Sequence, residues 1–152
     1  MIYLLDTDTL IYMARGLKIA APRNDLQRER FRLAGKIAAH CQRQQSLGHE
    51  VGLSAITVAE LEYGARHSGD YDKEITAVRK ILTPFVHFDF DAAACTESYG
   101  VARYFLEKAG TVIGAMDLLI AAHALALQAT LVTNDTRHFS RVPKLKCVNW
   151  TN

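Results

Sequence analysis

The feature that most constrains this chain is its opening stretch, MIYLLDTDTLIYMA. An uncharged apolar run, Ile2 to Leu5, stops at Asp6-Thr7-Asp8-Thr9, after which Leu10, Ile11 and Met13 resume at helical spacing. A strand, an acidic corner and a helix in that order begin an α/β unit. In an open α/β sheet, ligands bind just beyond the carboxyl ends of the strands, so an aspartate at this corner stands where chemistry is done. Aspartate is also a favoured helix N-cap, and capping alone would explain Asp6 or Asp8. The choice depends on what else the chain brings to the same edge.

The remaining sequence repeats the alternation. After Gly16 and a connection through Pro22, residues Asn24 to Gln45 read as a helix with Leu26, Leu33, Ile37 and Cys41 on one stripe. A strand is expected from Val51 to Ala55, followed by a helix opening at Thr57, because Thr57-x-x-Glu60 has the form of a capping box. A helix from Asp70 to Leu82 is stopped by Pro84, Phe85 to Phe90 alternates like a strand, and Asp91 can cap a long helix reaching Gly110. The run Met116 to Leu127 is apolar except for Asp117 and His123, which predicts a helix buried on most sides. Short strands at Thr130 to Thr133 and Leu145 to Asn149 complete the pattern. Strands alternating with helices predict a mainly parallel sheet covered by helices on both faces. With 152 residues, no repeat and no dividing linker, residues 1–152 are expected to form one domain.

Composition narrows the function by exclusion. The net charge of +2 names no partner, but between Arg23 and Arg43, in the basic helical segment at about 16–48, six basic residues (Arg23, Arg28, Arg30, Arg32, Lys36 and Arg43) face only Asp25 and Glu29. Such a cluster suits RNA phosphates or an acidic protein segment, and equally a solvated helix face. Cys41, Cys95 and Cys147 are odd in number, well separated and without a CxxC pair, which argues against a disulfide framework and a thiolate zinc site and for a reducing cytoplasm. No charged n-region precedes an h-region and no apolar run is long enough to cross a bilayer, so neither secretion nor membrane insertion is expected.

Four carboxylates share a property: each lies where an apolar element meets its neighbour. Asp6 follows the first strand, Glu60 lies in the first turn of a helix, Asp117 begins the apolar helix, and Asp135 follows the strand at Thr130. Each has a local explanation as a cap, a dipole partner or a turn residue. Asp117 fits its explanation least well, since carboxylates in apolar surroundings are rarely buried unless paired or metal-bound. Carboxylates gathered at one sheet edge would repel each other unless a cation sat among them. Oxygen ligands without Cys or paired His suit Mg²⁺ or Mn²⁺, and the reaction class that follows is metal-assisted phosphodiester hydrolysis. His123, six residues after Asp117, is rotated well away from it on the helix and reads as a packed, hydrogen-bonded core residue.

The motifs LLDTDTLIY, SAITVAELEYG, GAMDLLIAAHA and LVTNDTRHF, in that order and covering Met1 to about Trp150, resemble the PIN-domain ribonucleases, in particular the VapC-type toxins of toxin–antitoxin pairs. The resemblance implies a three-layer α/β/α sandwich and dependence on Mg²⁺ or Mn²⁺. It also implies endonucleolytic cleavage of RNA, neutralisation by a cognate antitoxin protein, and homodimerisation, alone or in a larger complex with the antitoxin. Carried over position by position, Asp6, Glu60, Asp117 and Asp135 match the family's acidic metal-binding and catalytic positions, and Thr133 matches its hydroxyl near the metal. Asp8 stands where the family often has Asn and is placed as a supporting residue, the cap of the first helix falling to it or to Thr7.

Two other classes were weighed. Asp6-x-Asp8 after an apolar strand also resembles the nucleophile motif of haloacid-dehalogenase-like phosphatases, in which the first Asp attacks phosphorus. Leu10 departs from that pattern, and the reading leaves Glu60 and Asp117 without a role. A non-catalytic partner-binding module would not need the acidic set.

Overall fold

A computed structural model describes all of residues 1–152. The strands β1 (Ile2–Leu5), β2 (Glu50–Ser54), β3 (Val86–Phe88), β4 (Thr130–Val132) and β5 (Lys146–Val148) form one five-stranded sheet in the order β3-β2-β1-β4-β5. Every neighbouring pair is parallel, so the mainly parallel sheet expected from the sequence is wholly so. The connecting helices are α1 (Thr7–Leu17), α2 (Asp25–Ser46), α3 (Ala55–His67), α4 (Tyr71–Leu82), α5 (Ala94–Ala109), α6 (Ala115–Ala126) and the single turn α7 (Thr136–Phe139).

The layering follows from the two-residue period of strands. Leu4 and its register partner Leu131 face one side, where they pack with Leu106, Leu118, Ile120 and Phe139 of α5, α6 and α7. Leu5 and its partner Val132 face the other side, against Leu10, Met13, Ile37 and Cys41 of α1 and α2. Both faces are covered, which is why the central strands read as continuous apolar runs rather than alternating ones. The result is the three-layer α/β/α sandwich.

Two glycines allow close approaches that a side chain would block. A Cβ on Gly52 of β2 would meet the Val86 carbonyl oxygen at 2.4 Å and the Phe88 ring at 2.5 Å, and one on Gly16 would meet the Ala34 Cβ at 2.5 Å. The second contact is where α1 and α2 cross. Leu26 lies beyond that crossing and is 79% exposed, so it does not belong to the buried stripe of α2, which is Ala34, Ile37 and Cys41.

The sequence reading also needs correction at Thr57. The helix opens earlier, at Ala55, because Ser54 is its cap: the Ser54 Oγ accepts from the Ile56 N–H at 3.0 Å. Thr57-x-x-Glu60 is therefore not a capping box; Thr57 is fully buried, and Glu60 is left to serve elsewhere. Ala93, not Asp91, stands at the cap of α5; Asp91 closes the turn before it, its Oδ1 accepting from the N–H groups of Ala93 and Ala94.

The order of strands decides where a site can form. From β1 the chain steps outward through β2 to β3, then returns to lay β4 on the opposite side of β1. That reversal opens a crevice between the carboxyl ends of β1 and β4.

Candidate functional site

Asp6 closes β1 at this crevice. Its backbone N–H extends the ladder to the Val132 carbonyl oxygen at 3.0 Å, and the side chain is 4% exposed. Both carboxylate oxygens are held: Oδ1 accepts from the Thr9 N–H at 2.8 Å, and Oδ2 accepts from the Thr133 hydroxyl at 2.5 Å. Asp6 is thus the cap of α1 as well as a crevice residue. The sequence reading had moved the cap to Thr7 or Asp8, but a single carboxylate with two oxygens serves both purposes. Burial raises the Asp6 pKa; the hydrogen bonds from Thr133 and Thr9 pull it back without cancelling the rise.

Thr133 follows β4 and is completely buried. While its hydroxyl donates to Asp6, its oxygen accepts from the Asp135 N–H at 2.9 Å, so one side chain joins the two strand ends. Asp135 caps α7, its Oδ1 accepting from the His138 N–H at 3.1 Å and its Oδ2 pairing with the His138 ring. Slight burial works upward on Asp135. The His138 hydrogen bonds, with the charges of His138 and Arg141, more than offset it and hold the carboxyl below its ordinary range.

Glu60 arrives from α3 and is half-buried. Thr7 grips it: the Thr7 Oγ1 lies 2.7 Å from Glu60 Oε1 and 3.0 Å from the Thr57 hydroxyl. Thr9, also fully buried, accepts the Asn134 N–H on its hydroxyl at 3.0 Å and so ties the β4–α7 corner to α1. Thr7 and Thr9 hold the corner together through contacts that local sequence pattern does not announce. The available signal was their polarity inside a corner flanked by buried apolar residues.

Asp117 lies in the first turn of α6. Burial first, then the charges of Asp6, Asp8, Glu60 and Asp135, push its carboxyl up to about 6. The other four acidic residues named from the sequence all bear on Asp117. Asp8 is exposed at the mouth, consistent with a supporting place. Glu62, two residues after Glu60, turns away and accepts from the Tyr71 hydroxyl at 2.9 Å.

Chemically the donors are hard oxygens whose mutual repulsion a divalent cation would relieve. As the side chains stand, no three His, Cys, Asp or Glu groups form a closed ligand cluster. What the fold supplies is convergent negative charge on an anchored base. The thiols contribute nothing here: all three cysteines are free, and burial pushes Cys41 up to about 12 and Cys147 up to about 11.

The basic segment is more internally satisfied than its composition suggests. Arg28 pairs with Asp25, Arg32 forms a double hydrogen bond with Glu29, and Lys36 reaches the carbonyl oxygens of Thr151 and Asn152. The Arg30 guanidinium lies 5.2 Å over the Tyr12 ring and helps join α2 to α1. Trp150, uninformative in sequence, is buried and stacks on His40 with ring centroids 5.4 Å apart.

A wholly parallel α/β/α sandwich with carboxylates converging at its switch point is the architecture of a nuclease-like fold, and the PIN domain family model matches residues 3–145. The chain belongs to the PIN domain family. Within that family its relatives are VapC proteins. It is 35% identical over 150 residues to the ribonuclease VapC2 of Rickettsia felis, a match spanning 99% of this chain and 98% of the relative. It is 30% identical over 150 residues to the tRNA(fMet)-specific endonuclease VapC of Shigella flexneri, with 98% of each chain covered. Among solved structures it resembles the VapBC2 complex of R. felis bound to a promoter DNA fragment, with a TM-score of 0.77, 33% identity and 99% of each chain covered. VapBC-1 from nontypeable Haemophilus influenzae matches with a TM-score of 0.77, 30% identity and full coverage of both chains. PIN-domain ribonucleases are in general divalent-metal dependent. No helix of the fold is long and apolar enough to cross a membrane.

Proposed function

We propose that this protein is a divalent-metal-dependent endoribonuclease, the toxin of a toxin–antitoxin pair, in which Asp6, Glu60, Asp117 and Asp135 hold Mg²⁺, or Mn²⁺ in its place. The observation that carries this reading is the convergence on Asp117: four other carboxylates act on it from β1, α1, α3 and the end of β4. A divalent ion held by these residues would supply a more acidic attacking water and positive charge to offset the negative charge that builds at the scissile phosphate.

The chain's own residues supply position and charge. Thr133 aims Asp6 and fixes the start of the Asp135 turn, and Thr7 holds Glu60 against the β1–α1 corner. Asp8 keeps further negative charge at the mouth and supports the site without being one of the four ligands. The raised pKa of Asp117 reflects burial and the repulsion of its neighbours, which a bound cation would relieve. Beside Asp135, Arg137 and Arg141 on the α7 side offer cationic contacts to RNA phosphates.

The VapC names of the relatives and the VapBC complexes among the structural neighbours support RNA as substrate and an antitoxin as partner. An apolar groove lined by Leu10, Ile11, Ala14, Leu61, Val78 and Ile81 opens beside Glu60 and offers an antitoxin segment a seat within reach of the acidic crevice. A homodimer, in the cytoplasm where the free thiols stay reduced, completes the reading, with residues 1–152 acting as a single nuclease domain.

The test is RNA cleavage by the purified protein in Mg²⁺, in EDTA, and as Asp6→Asn. Cleavage in Mg²⁺ that is abolished in the other two arms is expected. Equal cleavage in all three would overturn the metal mechanism.

A further inference from the structure

His123 is a polar group of α6 that the acidic site does not use. It is fully buried, and its Nδ1 lies 2.7 Å from the Ser54 Oγ at the carboxyl end of β2. This is the one side-chain hydrogen bond that α6 makes to another element. Ser54 accepts the Ile56 N–H that starts α3 and keeps its own proton free to donate to Nδ1, an arrangement in which the ring is the neutral tautomer with hydrogen on Nε2. Nε2 is buried without a well-formed hydrogen bond, the Asp89 backbone lies beside the ring, and the Phe90 ring stands nearly perpendicular to the imidazole with centroids 5.4 Å apart. An apolar side chain would fill that space but would leave the Ser54 hydroxyl and the Asp89 backbone without the ring nitrogens beside them. Filling space is therefore not a sufficient account of the residue.

The carboxylates differ in how they are held. Asp6, Glu60 and Asp135 are each hydrogen-bonded to a threonine, a histidine or a backbone N–H. Asp117 is acted on by burial and by charge alone, so its position depends on how α6 as a whole is fixed. Ser54 is the hinge between β2 and α3, and α3 carries Glu60 and packs on α6.

We propose that His123 is a positioning residue: by binding the Ser54 hydroxyl it locks α6 to the start of α3 and so sets the spacing between Asp117 and Glu60 for the divalent ion. This rests on the nuclease reading of the acidic crevice.

The test titrates metal-free wild type, His123→Asn, His123→Leu and Ser54→Ala with Mn²⁺, reading free Mn²⁺ by electron paramagnetic resonance and folding by thermal melting. Asn retains an acceptor near the place of Nδ1, Leu retains bulk without one, and Ser54→Ala removes only a hydroxyl. Wild type and His123→Asn are expected to bind alike. His123→Leu and Ser54→Ala should bind about tenfold more weakly, as is typical when a partner behind a ligand is lost, and the double variant no more weakly than either single one. Should His123→Leu fail to fold, Ser54→Ala carries the test by itself. A folded His123→Leu or Ser54→Ala protein that binds Mn²⁺ as the wild type does would overturn the proposal while leaving the nuclease reading standing. A wild type that binds no Mn²⁺ would overturn both.

Discussion

Asp6 and Asp135 occupy equivalent places in the chain. Each follows one of the two central strands and each caps the helix after it with a carboxylate oxygen on a backbone N–H. Their environments are opposite. Asp6 is 4% exposed with both oxygens gripped, whereas the Asp135 side chain is 50% exposed and leans on His138 of its own short helix. Burial raises one pKa; at the other, slight burial is outweighed by a histidine, and the pKa falls. The same local motif therefore yields a buried, costly anchor under α1 and an exposed, cheaply ionised group at the rim. The difference comes from what the sheet order stacks over each strand end.

Substitutions can break that contrast or sharpen it. The largest effect is expected from Asp6→Asn. Cleavage of RNA in Mg²⁺ should fall by more than the ~100-fold typical of losing a partner behind a metal ligand. Melting temperature should hold or rise, because Asn caps a helix as well as Asp and removes a buried charge. Loss of activity accompanied by unfolding would contradict the division of roles.

Thr133→Val comes next. It deletes the hydroxyl shared by Asp6 and the Asp135 turn with little change of volume, and a loss of about 10–100-fold in kcat is expected. A kcat equal to the wild type would mean that the two strand ends do not need to be joined.

Asp117 gives a smaller, pH-dependent effect. Its carboxyl titrates at about 6 in the fold against 3.8 as the ordinary value, so between those values the folded state binds more protons than the unfolded one. Stability of the metal-free protein should therefore fall as pH rises from about 4 to 6 and then level off. Asp117→Asn should flatten that slope and raise the metal-free melting temperature at pH 7 by a few degrees. A pH–melting curve with the opposite slope in this window would show that the carboxylates do not converge.

His138→Ala should do least. It releases an exposed pair worth ~0–1 kcal/mol, so activity at neutral pH should change by less than about fivefold. A loss approaching that of Thr133→Val would show Asp135 to be as tightly positioned as Asp6.

The strand–helix alternation, both apolar faces of the sheet and the acidic residues were legible in the sequence, because each rests on local pattern. The run Leu4-Leu5 pairs with Leu131-Val132, and every strand was expected within a residue or two of its observed span. Where the local pattern misled, a tertiary contact was responsible. Ser54, with its hydroxyl between the Ile56 N–H and His123, took the cap assigned to Thr57, and Leu26 fell past the point where α1 covers α2. Three of the basic residues of α2, Arg28, Arg32 and Lys36, are likewise taken up by its own acids and by the end of the chain.

The sequence by itself thus determined the building units and the chemical character of the site: apolar strands ending in oxygen donors, with no competing thiolate or histidine set. Only the tertiary structure decided that β4 returns to the far side of β1, which puts Asp6 and Asp135 at one crevice and brings Glu60 and Asp117 over it. Hydrogen-bond partners such as Thr133 to Asp6, Thr7 to Glu60 and His123 to Ser54 are separated by 127, 53 and 69 residues. No local periodicity can encode them, because they arise from how the packed layers meet.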